Sequence, residues 1–219
     1  GRIYVAGGWT GYNYKDEVYY AEIKPDGSLG NWNPTTPMPE PRKCSAAVMY
    51  EGRVYVIGGE YPESVVNDDV YYATINPEGT LGPWFSTTPL PHGIFCNSVV
   101  VLGGKIWVVG GIPFEPWEVE DLLDKVYYAK INEDGSLGEW MESTPIPNAI
   151  YAHTSVAFKD IYIYVIGGWH ETTLNTVYYG SVTPEREPTK WAVVIGVDEY
   201  WDPELNMNEG PSNSAIDMY

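Results

Sequence analysis

One segment of this chain occurs four times, and this repetition is the strongest constraint on its fold. The copies have the same length, and each runs from a Val-Tyr-Tyr triplet to a tryptophan: VYYAEIKPDGSLGNW (18–32), VYYATINPEGTLGPW (70–84), VYYAKINEDGSLGEW (126–140) and VYYGSVTPEREPTKW (177–191). The closing tryptophans stand 52, 56 and 51 residues apart. A period of about 50 residues, with all landmarks in one register, is typical of stacked β units rather than of one irregular core.

Each repeat reads as four short antiparallel strands, which we call a, b, c and d. In the second repeat these are KCSAAVMY (43–50), RVYVIGG (53–59), VYYATINP (70–77) and LGPWFS (81–86). Strand b is a nearly continuous apolar run, which indicates a strand buried on both faces. It ends in a Gly pair in every repeat, where positive φ and close backbone approach are permitted. We expect the repeated tryptophans, Trp32, Trp84 and Trp140, to fill equivalent and mostly buried sites between repeats.

These landmarks resemble the kelch repeat: a strand ending in a Gly pair, a tyrosine pair, a tryptophan, and a proline-rich link to an arginine, Arg42. The resemblance covers residues 1–191. It implies an all-β fold, a kelch-type β-propeller with about four four-stranded antiparallel blades. The first blade lacks its innermost strand, because Gly1 opens directly on strand b. In such a blade the b–c loops and the d–a links share one face, and the a–b and c–d turns share the other.

The repeat pattern stops after Trp191. Residues 192–219 open with the apolar run AVVIGV and resemble the N-terminal start of a caspase-like peptidase domain, in which a buried parallel strand leads into a helix. An alternative is that SNSAIDMY (212–219), which matches strand a of the second repeat at four of eight positions, is a ring-closing strand. Catalysis in the caspase-like family needs a His and a Cys after such a segment. Neither residue occurs after residue 191, so we expect no catalytic residue and no peptidase activity in this chain.

The formal net charge of −18 argues against several classes of partner. Nucleic acid and anionic membrane surfaces both need Lys and Arg, and the chain has 12 of these against 30 acidic residues. No apolar run is long enough to predict a membrane-spanning helix. The acidity suits a secreted or cell-surface setting, but the compartment stays open because Cys44 and Cys96 are too few to define a disulfide framework.

Candidate ligand-binding residues lie in the b–c loops, which differ from repeat to repeat. These loops combine aromatic rings with carboxylates, which can stack on sugar rings or receive Lys and Arg from a protein. The candidates are Trp9, Tyr12, Tyr61, Trp117, Glu118, Trp169, His170 and Glu171. By contrast, the c–d turns PDGSLG, PEGTLG and EDGSLG are near copies, which indicates scaffold, and Asp-Gly turn chemistry explains them without bound calcium.

No cofactor is expected from the sequence. The alternative is a soft-metal site at Cys44, Cys96 and His153, which stand 52 and 57 residues apart at the start of strand a. Small, soft residues at such positions are ordinarily part of the packing of an inner strand.

Three functions fit these observations. The first is a recognition module for a protein or glycan ligand, accessory to a truncated caspase-like domain. The second is a carbohydrate-active enzyme, since proteins that share the kelch scaffold include sugar oxidases and a sialic-acid mutarotase. An oxidase would need several metal ligands and the chain has only three His, whereas a mutarotase would need a basic channel. The third is a structural component of a surface or filament.

Overall fold

The computed structural model describes residues 1–114 and 118–182, and the backbone of residues 191–195. In this part of the chain, 19 strands form four main sheets and two short two-stranded ribbons. The first sheet consists of β1 (Arg2–Trp9), β2 (Tyr14–Glu22) and β3 (Asn33–Thr35). The second repeat contains β4 (Ala46–Tyr50), β5 (Arg53–Ile57), β6 (Glu60–Tyr61), β7 (Val65–Val66), β8 (Val70–Ile75) and β9 (Leu81–Ser86).

The third repeat contains β10 (Ser98–Leu102), β11 (Lys105–Val109), β12 (Val126–Lys130) and β13 (Met141–Glu142). The fourth contains β14 (Thr154–Phe158), β15 (Tyr162–Ile166), β16 (Trp169–His170), β17 (Thr172–Thr173), β18 (Thr176–Ser181) and β19 (Trp191–Ile195). The strand pairs β6–β7 and β16–β17 are the ribbons, and they lie in the b–c loops. The remaining strands form blades in the order a, b, c, d, and the first blade has only b, c and d. This confirms the predicted all-β fold.

All four blades share one register, which explains why the sequence repeats so strictly. The second tyrosine of each pair lies opposite the residue that follows the repeated tryptophan: Tyr20 with Asn33, Tyr72 with Phe85, Tyr128 with Met141, and Tyr179 with Ala192. A slip of one residue would turn every side chain of a strand to the other face of its sheet. Strands c and d therefore pair in the same register in all four blades.

The register also places the start of the C-terminal segment. Strand β19 pairs antiparallel with β18 and is strand d of the fourth blade, and Ala192 lies at the position of Asn33, Phe85 and Met141 in the other blades. The caspase-like resemblance predicts a parallel strand of a new domain at this point, and the antiparallel pairing of β19 with β18 differs from that prediction. Residues 196–219 lie outside the described residues, and both their caspase-like and their ring-closing interpretations stay predictions.

Neighbouring blades are joined by apolar layers built largely from strand b. Residues Val54–Ile57 of β5 and Ile106–Val109 of β11 are buried throughout, as a strand between two packed faces requires. The layer between the second and third blades includes Tyr55, Ile57, Ile106 and Val108. Burial of such residues is the main driving force for stacking the blades.

The tryptophans of strand d fasten each blade to the one before it. The Trp84 indole Nε1 donates to the carbonyl of Thr36 at 3.1 Å, and Trp140 donates to the carbonyl of Thr88 at 3.0 Å. Both side chains are half-buried. The prediction of a mostly buried site is wrong for Trp32, which is 45% exposed. Among the described residues, no preceding blade packs against Trp32 and no carbonyl of a d–a link accepts a hydrogen bond from its indole.

The repeated c–d turns form a second fastening between blades. The Tyr4 hydroxyl donates to the carbonyl of Gly79 at 2.7 Å, and the Tyr55 hydroxyl donates to the carbonyl of Gly135 at 2.9 Å. Each tyrosine lies on strand b of one blade, and each glycine lies in the c–d turn of the next. The turns are alike because they make the same contact, which supports their interpretation as scaffold.

Candidate functional site

The face formed by the b–c loops and d–a links, which we call the loop face, is built on one repeated position. Beyond each a–b hairpin, a bridge joins a link residue to the residue after the Gly pair. These bridges are Lys43–Glu60, Phe95–Ile112 and Tyr151–Trp169. In the first blade the residue after the Gly pair is Trp9. One position per blade therefore supplies a charged pair in the second blade and apolar pairs in the third and fourth.

The Gly pairs allow these links to approach so closely. The amide of Gly59 donates to the carbonyl of Ile94 in the next blade's link at 2.9 Å, and the amide of Gly111 donates to Ile150 at 2.8 Å. Gly59 has a φ of 102°, and a Cβ there would lie 2.9 Å from the Ser45 Cβ. Only glycine suits both the backbone conformation and the space, so the pairs fix where the following residue meets the loop face.

A buried ion pair lies on the side of the loop face nearest the first blade. The Lys43 Nζ is 3.0 Å from the Glu60 Oε1, and Glu60 is 1% exposed. The Tyr14 hydroxyl donates to the same Oε1 at 2.6 Å, and this hydrogen bond raises the pKa of Tyr14. The Lys43 ammonium also lies over the Trp9 ring, 5.3 Å from its centroid, in a cation–π arrangement. The contacts fix Trp9 and Lys43 beside one another.

A second network surrounds Arg42, which is fully buried. Its guanidinium donates to the carbonyl of Gly58 at 2.9 Å and to the Tyr61 hydroxyl at 2.6 Å. That hydroxyl donates in turn to the Asp69 carboxylate at 2.8 Å. The hydroxyl of Tyr61, a predicted ligand-binding residue, is thus already hydrogen-bonded to two residues of its own blade. Burial raises its pKa.

The other side of the loop face is apolar. Phe95, Ile112 and Leu122 are buried there, and half-buried side chains including Tyr151 and Trp169 pack against them. The rings of Tyr151 and Trp169 lie 5.3 Å apart. These contacts leave Trp169 partly exposed at the edge of an apolar cluster. His170 beside it is half-buried, and Glu171 is exposed.

Two exposed aromatic candidates lie in the first blade. Trp9 is 57% exposed and Tyr12 is 92% exposed. Glu118 is exposed and precedes the short 3-10 helix Val119–Asp121 in the third b–c loop. Trp117 lies outside the described residues, so its predicted role stays a prediction. The structure thus brings Trp9 next to the ion pair and Trp169 onto the apolar cluster, while Tyr12 projects from a loop tip.

The loop face is acidic because its described cations are already engaged. Lys15, Lys43 and Lys125 are paired with Glu17, Glu60 and Glu142, and Arg42 is buried. Four exposed glutamates of the b–c loops form no ion pair with any described cation: Glu63, Glu118, Glu120 and Glu171. The exposed part of the loop face therefore carries unpaired negative charge.

The metal candidates do not form the set that the sequence suggested. Equivalent positions at the start of strand a are Cys44, Cys96 and Ala152, each with a φ between 51° and 54°. His153 lies one residue further on, equivalent to Asn97, and its burial lowers its pKa to about 4. Among the described residues, no group of three His, Cys, Asp or Glu side chains is placed to hold a metal ion.

The opposite face also has a concave site. A cavity of about 700 Å³ opens there beside the a–b turns. Its lining consists of Met49, Tyr50, Val101, Leu102, Gly103, Gly104, Lys105, Asp160 and Val182. An experiment on ligand binding must therefore distinguish the two faces.

Sequence reasoning missed the Lys43–Glu60 pair, although a signal for it was present. The a–b register that pairs Ala46 with Ile57 reaches Lys43 and Glu60 when it is continued by three residues. The misplacement of His153 could have been avoided in the same way. Cys44, Cys96 and Ala152 each follow their repeat's tryptophan by 12 residues, and His153 does not.

Together, the fold and the loop face define a β-propeller whose variable loops share one surface. A family model, the KLHDC2/KLHL20/DRC7 Kelch-repeats domain, matches residues 1–191, and the chain belongs to the kelch-repeat family. The match ends at residue 191, and the caspase-like interpretation of residues 196–219 stays a prediction. In the described part of the chain, no helical segment has the length and apolarity needed to cross a bilayer.

Curated relatives agree with this assignment. The chain is 27% identical over 177 residues to human Kelch repeat and BTB domain-containing protein 12, covering 75% of this chain and 28% of that protein. It is 31% identical over 129 residues to mouse Kelch-like protein 40, covering 58% and 20%. It is 27% identical over 152 residues to beta-scruin of Limulus polyphemus, covering 68% and 16%. The chain thus spans less than a third of the length of each.

Among solved structures, that of YjhT matches with a TM-score of 0.61 at 15% identity. The match covers 81% of this chain and 52% of that one. At this identity the likeness supports the fold alone.

Proposed function

We propose that this chain is a recognition module that binds a basic segment of a protein partner across its loop face. The observation that carries the proposal is the contrast between the two ends of the blades. At one end, the c–d turns are near copies whose carbonyls are occupied by tyrosines of the preceding blade. At the other, the b–c loops differ in every blade and expose aromatic and acidic side chains. A scaffold needs uniform contacts, whereas recognition needs varied ones.

The chemistry of the loop face suits a protein partner with Lys or Arg side chains. The exposed glutamates offer acceptors for charge-assisted hydrogen bonds. Trp9 and Tyr12 offer exposed aromatic faces, on which a guanidinium or ammonium group can stack. The half-buried rings of Tyr151 and Trp169 supply an apolar patch on the other side of the same face. Aromatic anchors within a polar rim are typical of protein interfaces.

A glycan is the competing ligand, because the same rings could stack on a sugar. The geometry favours the protein partner for two reasons. The Trp9 ring already lies against the Lys43 ammonium, and an excess of unpaired carboxylates serves a cation better than a neutral sugar. No specific contact of the described residues favours a carbohydrate-active enzyme or a filament component. An accessory role beside a peptidase domain depends on residues 192–219 and on sequence beyond them.

Charge-matched variants on the two faces test the proposal. The probe is a set of synthetic peptides of equal length that are basic, neutral or acidic, with affinity measured by fluorescence anisotropy. We expect the basic peptides to bind, and we expect added salt to weaken that binding. The double variant Glu118→Gln and Glu171→Gln should weaken it several-fold. The control, Glu51→Gln and Glu133→Gln, makes the same change of charge on the a–b and c–d turns and should leave affinity unchanged.

A matched pair tests the aromatic contribution. Trp9→Ala should weaken binding, whereas Phe85→Ala on strand d should not, although Phe85 is 50% exposed and Trp9 57%. Binding of neutral oligosaccharides instead of basic peptides would replace the protein partner by a glycan. A loss of affinity in the control variant Glu51→Gln and Glu133→Gln would show that the peptide binds the opposite face.

A further inference from the structure

The two cysteines of the chain occupy equivalent positions in adjacent blades and meet at the blade boundary. The amide of Cys96 donates to the carbonyl of Cys44 at 2.9 Å. Both residues have a left-handed backbone, with φ of 54° and 51°. The same contact recurs one blade further on, where the amide of Ala152 donates to the carbonyl of Cys96 at 3.0 Å. The backbone therefore repeats this arrangement, and only the second and third blades place cysteine in it.

The geometry of this contact is that of a potential disulfide. A hydrogen bond between the carbonyl of one residue and the amide of another keeps their Cα atoms within about 6.8 Å, given standard bond lengths. Disulfides span Cα distances of about 4.4–6.8 Å when the two side chains point toward each other. The thiols do so here: a hydrogen bond with Cys44, together with burial, raises the pKa of the Cys96 thiol. Neither cysteine is in a disulfide in this structure.

We propose that Cys44 and Cys96 are a redox modification site, at which a low-molecular-weight disulfide such as glutathione disulfide oxidises them to a bond between the second and third blades. Cys44 is exposed and Cys96 is half-buried, so the two sulfurs have different roles. Cys44 meets the oxidant, and Cys96 resolves the product. The site does not depend on which ligand the loop face binds.

The reaction is two successive thiol–disulfide exchanges. The Cys44 thiolate attacks one sulfur of glutathione disulfide, forms a mixed disulfide, and expels glutathione thiolate, which takes up a proton. The Cys96 sulfur then attacks the Cys44 sulfur while its thiol proton passes to the departing glutathione, so the inter-blade bond forms and a second glutathione leaves as a thiol. The two protein thiols lose two electrons, and one glutathione disulfide becomes two glutathione thiols.

The site is tested by equilibrating the reduced chain in glutathione redox buffers, alkylating the remaining thiols and measuring intact mass. The sequence has only two cysteines, so the products are easily distinguished. We expect a monomer that has lost two hydrogen atoms and takes up no alkyl group. Cys44→Ala and Cys96→Ala should each abolish this product. Alanine suits the backbone at these positions because Ala152 already occupies the equivalent one.

Two further variants test whether the internal disulfide needs cysteines at equivalent positions of adjacent blades, or only two cysteines that lie close together. Cys44→Ala combined with Ala152→Cys moves the pair one blade along and should restore the internal bond. Cys44→Ala combined with Ser45→Cys moves the thiol one residue along the strand and should not. A wild-type product that carries glutathione on both cysteines, or is a disulfide-linked dimer, would overturn the proposal. An internal bond that forms equally well in the Ser45→Cys variant would also overturn it.

Discussion

At the scale of single residues, buried charge holds the loop face in place. Arg42 lies between the rings of Tyr61 and Tyr71, with its guanidinium carbon 4.9 and 5.0 Å from their centroids. Its hydrogen bonds reach the Gly58 carbonyl and the Tyr61 hydroxyl. A buried guanidinium is tolerated only when it is well hydrogen-bonded. Arg42 therefore stabilises the second b–c loop, although it makes no exposed contact.

Replacing Arg42 should be costly for stability. Arg42→Ala leaves a cavity and removes the partner of two buried acceptors, so we expect a loss of roughly 3–5 kcal/mol in the free energy of unfolding. Arg42→Lys should recover only part of this loss, because an ammonium lacks the planar fork. Urea denaturation measures both variants. Arg2→Ala is the control, since the hydrogen bond that Arg2 donates to the carbonyl of Pro77 at 3.3 Å is exposed. Comparable stability of Arg42→Ala and the wild type would contradict the assigned role.

His153 should make stability depend on pH. Burial lowers its pKa from the ordinary 6.5 to about 4. Between these values the unfolded chain binds a proton that the folded chain does not, so this stability is lost as pH falls from about 6.5 to about 4. The loss should reach at most about 3 kcal/mol. His153→Asn, which copies the residue of the third blade, should remove this component from urea titrations across that range. Parallel pH profiles of variant and wild type would disprove the assignment.

At the scale of elements, each c–d turn can contact side chains of the preceding blade. The contribution of its glycine to stability depends on whether such a side chain is present. The turn glycines Gly27, Gly79 and Gly135 all have positive φ. A Cβ on Gly135 would lie 2.4 Å from the Arg53 Nε, whereas a Cβ on Gly27 would meet no atom within 4 Å. The same glycine is thus required by the backbone alone in the first blade and also by packing in the third.

This contrast gives a prediction with an internal control. Gly27→Ala should cost only the left-handed backbone penalty, about 1–2 kcal/mol. Gly135→Ala should cost about 1 kcal/mol more, because it displaces Arg53 from its hydrogen bond to the carbonyl of Glu133. In an Arg53→Ala background most of this excess should disappear, which a double-mutant cycle measures. Equal costs for the two glycine substitutions in the wild-type background would show that the turn does not fasten the blades.

At the scale of the whole molecule, the sequence predicts what is repeated and misses what occurs once. The blades could be predicted because four copies of one register restate the same strands and turns. The Lys43–Glu60 pair was missed because the charges occur in one blade only, and the other blades have apolar residues at the same position. The burial of Trp32 was overestimated because the burial of this tryptophan depends on contact with a preceding blade, and the repeated sequence alone does not provide that contact. The b–c loops likewise differ from blade to blade, so the residues proposed for recognition cannot be predicted from the period.

The absence of peptidase activity stays a prediction of the caspase-like resemblance, in which catalysis needs a His and a Cys after the segment that follows Trp191. Fluorogenic peptides with Arg or Asp before the cleaved bond measure this directly. Cleavage by the purified chain that is lost in Cys44→Ala or Cys96→Ala would contradict the prediction.

Hydrogen exchange with and without a bound basic peptide tests whether the loop face recognises a basic protein segment. We expect the bound peptide to slow exchange of amides in the b–c loops, including residues 10–13, 60–69 and 118–125. Exchange in the c–d turns around Gly27, Gly79 and Gly135 should not change. Protection confined to the c–d turns, or to the a–b turns beside the cavity, would contradict recognition by the loop face.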